Sequence, residues 1–538
     1  MLGSAPLMTD KSGKLWKKFE TYYQEYPDIG LTLDISRMNF DAAFLRRIAP
    51  KVDAAIKEMR GIDAGAVANK DEKRMVGHYW LRNPSLAPDP EIREAIENTI
   101  LKIKSFARDI HSGKIRAGTK RFQNILLVGI GGSALGPQFV SNALSDPSRD
   151  KMAIFFLDNT DPDGMDRVFA KIGSELSQTL CIVISKSGGT KETRNGMVEA
   201  KKRYERAGVR FETRAVAITK EGSDLDKLAR SRKWLERFPM WDWVGGRTSE
   251  CSAVGLLPAA LQGFDIDAML NGAKACDEQT RESELLKNPA ATVAAMWYWA
   301  GNGKGAKNMV VLPYKDRLEL FSKYLQQLIM ESLGKAKDRK DRLVNQGITV
   351  FGNKGATDQH SYIQQLREGP NDFFATFIVV GKDRKAISLE IEPKTTSGDY
   401  LHGFFLGTRQ ALHENGRESI TIGIKEVSPF AVGVLIALFE RAVGLYASMI
   451  NINAYHQPGV EAGKKAAEVV LGIQTRVIKA LRKNRGRKMT LAALASAAGA
   501  RNQKETVFWI CEHLASNPDR GVVRSTGPIS QRRYSLAG

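Results

Sequence analysis

Cysteine is scarce in this chain: four residues in 538, at Cys181, Cys251, Cys276 and Cys511. Widely spaced and mostly among apolar neighbours, they predict buried thiols in a reduced, cytoplasmic protein. Histidine is nearly as rare, with seven residues, and none stands at ligand spacing from another histidine or a cysteine. That scatter disfavours a structural or catalytic transition metal. No apolar run reaches the length of a membrane span. The opening MLGSAPLMTDKSGKLW lacks a charged segment followed by an apolar one, so no secretion signal is expected.

With 43% hydrophobic residues over 538 positions, the chain predicts two large domains with accessory pieces rather than one core. The formal net charge is +20, and part of it can steer anionic substrates. Much of it is local. From Thr475 onward there are thirteen Lys or Arg against three acids (Glu505, Glu512, Asp519), so half the excess lies in the last stretch.

The most informative segment is IVISKSGGTKET, Ile182–Thr193. An apolar strand ends at Ile184, a turn of Ser185, Lys186, Ser187, Gly188, Gly189 and Thr190 follows, and a helix is predicted to open near Thr190. Short hydroxyl side chains and glycines leave backbone N–H groups free to close on an anion at a helix N-terminus. An ordinary capped turn needs only one of those hydroxyls, so the anion site is the better reading. The nucleotide P-loop pattern does not occur here. A second glycine turn lies in NILLVGIGGSALGPQFV, Asn124–Val140. Gly129, Gly131 and Ala134 meet a relaxed dinucleotide fingerprint, with Asp158 ending the next strand, so a nicotinamide reading is allowed on these residues alone.

Residues 1–115 read as helical, with Phe44–Met59 broken or kinked at Pro50 and a second helix over Glu91–Ile110. Strands at Ile125–Val128, Met152–Asp158, Leu180–Ser185 and Arg214–Thr219 alternate with helices, which predicts a parallel doubly wound sheet binding ligands beyond its strand ends. In DWVGGRTSECSAVGLL, Arg247 follows two glycines; a solvent-facing loop arginine and an anion contact fit that placement equally. A second α/β unit begins with the strand Asn308–Pro313 and an amphipathic helix over Leu318–Leu333. Glu331 falls at the end of that helix, where the macrodipole disfavours a carboxylate charge. Thr357–Arg367 starts a helix with His360 near its first turn, either a structural residue or a neutral imidazole able to move a proton. Phe373–Val380 and Ala386–Ile391 read as paired strands, Phe430–Ile450 as a buried core helix. Asn453–Leu471 turns at Pro458–Gly459 into a helix bearing Lys464, which on its own reads as a solvated lysine.

Five separated stretches, GIGGSALGP, SKSGGTKET, VGGRTSECSAVGL, MESLGK with the later TDQHSYIQQL, and QPGVEAGKK, together resemble the phosphoglucose isomerase family, in its order, over roughly residues 30 to 475. The resemblance implies an α/β fold of two sugar-isomerase (SIS) domains, each a parallel α/β/α sandwich. Residues 1–115 would pack on them, 116–300 would form the first and 301–475 the second. It implies an aldose–ketose isomerase of glycolysis and gluconeogenesis, exchanging glucose 6-phosphate and fructose 6-phosphate through a cis-enediol, with no cofactor and no metal. Carried over, Ser185, Lys186, Ser187 and Thr190 match the phosphate loop, with Gly132 and Ser133 beside it. Glu331 matches the base, Arg247 the enediolate stabiliser, His360 and Lys464 the ring-opening pair, and Gln327 and Gln457 substrate-hydroxyl contacts. The family's histidine reaches the neighbouring subunit's site, which implies a homodimer. Thr248, Leu333 and His456 depart from the common pattern without removing any of these groups.

Residues 476–538 lie outside that core. KNRGRK is a basic linker; Leu491–Ala498 and Thr506–Ala515 predict helices, and Gly521–Leu536 a hairpin with Arg524, Arg532 and Arg533, the outline of a winged helix. This motivates an alternative of another class, a SIS-domain sugar-phosphate sensor that binds nucleic acid. Such a sensor has no use for Glu331, Arg247, His360 and Lys464 together, so the isomerase is the better reading. The tail is then a packing or dimer-stabilising appendage with a solvated basic face.

Overall fold

Two runs of apolar strands, each separated by helices, resolve into two largely parallel sheets. The computed structural model describes residues 13–537, with the side chains of residues 460–462, 464 and 465 set aside. Residues up to His456 form one unit and those from Gln457 a second.

In the first unit, one sheet has five parallel strands in the spatial order Ala153–Leu157, Asn124–Val128, Thr179–Ile184, Ala215–Thr219, Glu236–Pro239. The three inner strands are buried along their whole length, as expected of a parallel sheet covered on both faces. From Asn124–Val128 the chain first adds a strand on one side and then returns to the other for Thr179–Ile184. The switch point therefore lies between these two strands, and the crevice beyond their carboxyl ends is framed by both glycine turns.

The other sheet has six strands in the order Tyr23–Tyr26, Leu31–Asp34, Glu418–Ile424, Phe373–Val380, Asn308–Pro313, Val350–Phe351. The last four are parallel and the N-terminal pair antiparallel. This hairpin corrects the helical reading of residues 1–115. The run Leu31-Thr32-Leu33 is strand-prone and seals the sheet edge with Leu31 and Leu33 fully buried. The helices expected there run over Ala42–Asp63 and Pro90–Ser112. Pro50 breaks nothing: burial of Ile48, Val52, Ile56 and Met59 on one face holds the helix through it.

Ala386–Ile391 does not pair with Phe373–Val380. A short hairpin of Glu390–Glu392 and Thr395–Thr396 takes its place, and Phe373–Val380 lies between Asn308–Pro313 and Glu418–Ile424. The charged run Lys382-Asp383-Arg384-Lys385 is exposed and suits a solvated loop. Glu418 is buried because Trp299, Lys307 and the Asn39 N–H all donate to its carboxylate.

Pro429–Met449 is the only described helix long and apolar enough to cross a membrane, yet 94% of its apolar window is buried inside the protein. Beside it, buried Asp277 accepts from Arg82 at 2.9 Å and from Arg441 at 2.8 and 2.9 Å. Against the cost of burial, these guanidiniums hold its carboxyl well below the usual range.

The second unit begins with the helix Pro458–Lys483, which runs through residue 475. The two expected helices run over Leu491–Ala497 and Lys504–Ala515. The expected hairpin, Val522–Arg524 with Arg533–Leu536, is joined by Met489–Thr490 in a three-stranded antiparallel sheet. Ile473, Val477 and Leu481 of the long helix are buried with Leu494, Val507, Ile510 and Tyr534.

Candidate active site

The turn after Thr179–Ile184 is held open by its own hydroxyls. Ser185 Oγ accepts from the Gly188 N–H at 3.1 Å and Ser187 Oγ from the Gly189 N–H at 3.1 Å. The Ser185 carbonyl is fixed from the next strand by Thr219 Oγ1 at 2.6 Å. Thr190 is the N-cap of the helix Lys191–Arg206, but its side chain makes no capping bond. Its hydroxyl instead faces that of Ser185 at 3.5 Å. Hydroxyls and N–H groups thus converge at the positive end of a 16-residue helix, which suits a phosphate. Lys186 donates to the carbonyls of Asp242 and Val244, each at 3.0 Å. Burial, with Arg74 and Lys220 nearby, pushes its ammonium down to about 8 against the pull of Asp242.

Lys186 thereby ties the turn after Thr179–Ile184 to the loop that carries Arg247. A Cβ on Gly132 would stand 2.0 Å from the Gly246 carbonyl oxygen, so the two glycine turns touch backbone to backbone. Arg247 is not a solvent-facing loop residue: only 5% of it is exposed. Its Nε donates to Ser332 Oγ at 2.7 Å, and Nη2 reaches the carbonyls of Ala454 and His456. Nη1 stands 3.6 Å from the Glu331 carboxylate. Burial lowers the guanidinium from its usual value and Glu331 opposes this; an arginine keeps its charge at any working pH.

The helix carrying Glu331 differs from the regular one expected over Leu318–Leu333. After a 3-10 turn, Asp316–Leu318, it has an α segment, Phe321–Leu325, and then a π turn over Gln326–Glu331. The wider turn is a local cost that helices retain mainly at functional sites. It sets Gln327 Nε2 to donate to Glu331 Oε2 at 3.2 Å. The same amide nitrogen lies 3.1 Å from where a Cβ on Gly131 would stand, so the glycine turn of one sheet meets the acid-bearing helix of the other. The Glu331 side chain keeps 20% of its surface open.

The structure thus brings Gly132, Lys186, Arg247, Gln327 and Glu331 into one chain of contacts, with Ser133, Ser185, Ser187 and Thr190 on the two turns that frame it. His360 is exposed at the end of Thr357–His360, a separate 3-10 segment before the helix Ile363–Glu368 rather than that helix's first turn. Gln457 is the N-cap of Pro458–Lys483. Lys464 is on that helix, its side chain outside the described residues. Asp158 accepts from Gln138 at 2.7 Å, an engagement the nicotinamide reading would have to break. Among the described residues no group of three metal-ligating side chains assembles. Two contributors were missed in the sequence, Ser332 and Lys335. Neither carried a signal beyond its place in MESLGK, because each acts by contacts that only folding creates.

The family profile described as phosphoglucose isomerase matches residues 35–412 and 406–480. A glucose-6-phosphate isomerase from Geotalea daltonii is 60% identical over 515 residues, 96% of this chain and 97% of its own. One from Nostoc punctiforme is 57% identical over 510 residues, 95% and 96% of the two chains. Among solved structures, a glucose-6-phosphate isomerase from Chlamydia trachomatis superposes with a TM-score of 0.79 at 26% identity, covering 86% of this chain and 92% of that one. Fold, site geometry and likeness over nearly the full length agree, and the chain belongs to the phosphoglucose isomerase family.

Proposed function

We propose that this chain interconverts glucose 6-phosphate and fructose 6-phosphate, with Glu331 as the base that moves one proton between the first two sugar carbons. The carrying observation is the buried Arg247 guanidinium 3.6 Å from a partly open Glu331 carboxylate, linked through Lys186 and Gly132 to a phosphate-binding turn. The dianion seats at Ser185, Lys186, Ser187 and Thr190, with Gly132 and Ser133 beside it, and so fixes the sugar's distance from Glu331. The carboxylate takes a proton from C2 of the open-chain aldose and returns it to C1 on the same face. Loss of the C2 proton leaves a cis-enediolate with its charge on O1, where Arg247 supplies a preorganised positive partner. The O2 hydroxyl proton passes to O1, and reprotonation at C1 leaves the ketose carbonyl at C2. Gln327 orients the carboxylate and meets a sugar hydroxyl, as does Gln457. His360 and Lys464 open the ring, one donating and one accepting a proton. No electron leaves the substrate, so the cycle calls for no redox cofactor. A coupled assay converting fructose 6-phosphate to glucose 6-phosphate tests the reading; no turnover with pure protein would overturn it. The four free, buried thiols suit a reducing, cytoplasmic setting.

The working unit we propose is a homodimer in which His360 serves the other copy's site. Gln359, next to it, bonds Thr408 on the helix Ser397–Glu414. The segment around that helix exposes Ile387, Leu389, Ile391, Tyr400, Phe404 and Leu406, an apolar strip that a second copy would cover. Mixing the inactive variants Glu331→Gln and His360→Ala, then exchanging subunits, should restore activity, because one site of each mixed dimer regains both groups. Mixtures that stay as inactive as their parents would place His360 in its own subunit's site.

For the basic extension we propose a brace rather than a nucleic-acid reader, with the winged-helix-like arrangement packing on the helix that bears Lys464. Ile473, Val477 and Leu481 of that helix are buried in the extension's core, and uncovering each costs about 1.5–3 kcal/mol. Deleting residues 484–538 should therefore lower both the melting temperature and turnover. Retained turnover with a loss of DNA binding would favour the nucleic-acid role instead.

A further inference from the structure

Lys335 is a buried lysine outside the roles assigned above, only 5% exposed. Its Nζ donates to the Glu331 carbonyl at 2.8 Å and to the Ser332 carbonyl at 2.7 Å. Those two residues carry the proposed base and the hydroxyl that accepts from Arg247 Nε at 2.7 Å. One ammonium thus fixes the backbone on which both reacting groups depend. It does so where the π turn ends and a helix leaves carbonyls without intrahelical partners.

We propose that Lys335 is a positioning residue that holds the Glu331 carboxylate and the Arg247 guanidinium in register for proton transfer. A solvated lysine four residues after a glutamate would extend into water, whereas this one gives up its hydration to reach two main-chain oxygens. The charged groups that face it are Arg247, Glu331 and Asp71, with the titratable His456 on the adjoining loop. Burial, with Arg247 close by, pushes its ammonium down to about 7, while Glu331 and Asp71 pull the other way. A buried amine whose donors go to the backbone of the base itself and of Ser332 is what holding the site would require. The phosphate turn hangs on other elements, so the loss of Lys335 should spare substrate capture.

This inference rests on Glu331 and Arg247 acting as proposed. Lys335→Met keeps the volume and removes both charge and donors. It should lower kcat about 10²-fold, the scale of a misplacement near 1 Å, with KM little changed. Lys335→Ala supplies a second arm should the methionine variant fold poorly: added ethylammonium should raise its kcat at least about tenfold, and ethanol should not. A folded Lys335→Met enzyme with wild-type kcat, a rise in KM alone, or an alanine variant that ethylammonium does not rescue would overturn the proposal. If those results come while Glu331→Gln is inactive, only the role of Lys335 fails; if Glu331→Gln is active too, the reading of the site fails.

Discussion

Glu331→Gln should cut isomerisation by about 10⁴-fold, the upper range for removing a positioned general base, and leave hexose-phosphate binding nearly intact. Glutamine keeps the volume and can still accept from Gln327 through its amide oxygen, the bond that orients the acid at 3.2 Å. What it loses is the lone basic site that must take a proton from one carbon and return it to the next. The proposed phosphate contacts lie on a different strand and turn, so the binding step has no reason to change. Initial rates from the coupled assay, set beside calorimetric titration with fructose 6-phosphate, separate the two effects. Near-normal turnover would remove Glu331 from the chemistry; lost binding would make it a substrate-holding residue.

Replacing Arg247 by lysine should cost about 10²–10³-fold in kcat, the scale for losing a preorganised partner of a developing oxyanion. The guanidinium spans Ser332 Oγ, the carbonyls of Ala454 and His456, and Glu331 at once. An ammonium is a point charge on a flexible stem and cannot satisfy those directions together. The effect should fall on kcat with KM nearly constant, because the substrate charge it answers exists only between the two proton transfers. A raised KM with kcat unchanged would instead assign Arg247 to ground-state binding. Arg247→Ala is the poorer experiment, since it leaves buried carbonyls without a donor and would mix instability with lost catalysis.

The turn between Thr179–Ile184 and Lys191–Arg206 was legible in the chain because its cues are local: hydroxyls and glycines between an apolar strand and a helix. The inner strands of the first sheet were readable for the same reason, as short apolar runs bounded by turns. Features set by distant contacts were not. The burial of Arg247 depends on Ser332 and Ala454, 85 and 207 residues further on, and the local pattern left a loop arginine and an anion contact level. Nothing in LQQLIME separates a π turn from an α turn. The N-terminal hairpin eluded a helical window because each strand is four residues long. It is stable only where Glu418–Ile424 offers it an edge. Lys335 looked like any lysine near a helix end, and its value lies in two carbonyls that only the folded chain presents.

The decisive measurement is a crystal structure of the Glu331→Gln protein soaked with fructose 6-phosphate. With the phosphate on Ser185–Thr190, C1 and C2 should both lie about 3–3.5 Å from the carboxamide that stands for the carboxylate, on one face of the sugar. A well-ordered sugar whose phosphate occupies that turn while C1 and C2 face away from residue 331 would contradict the account.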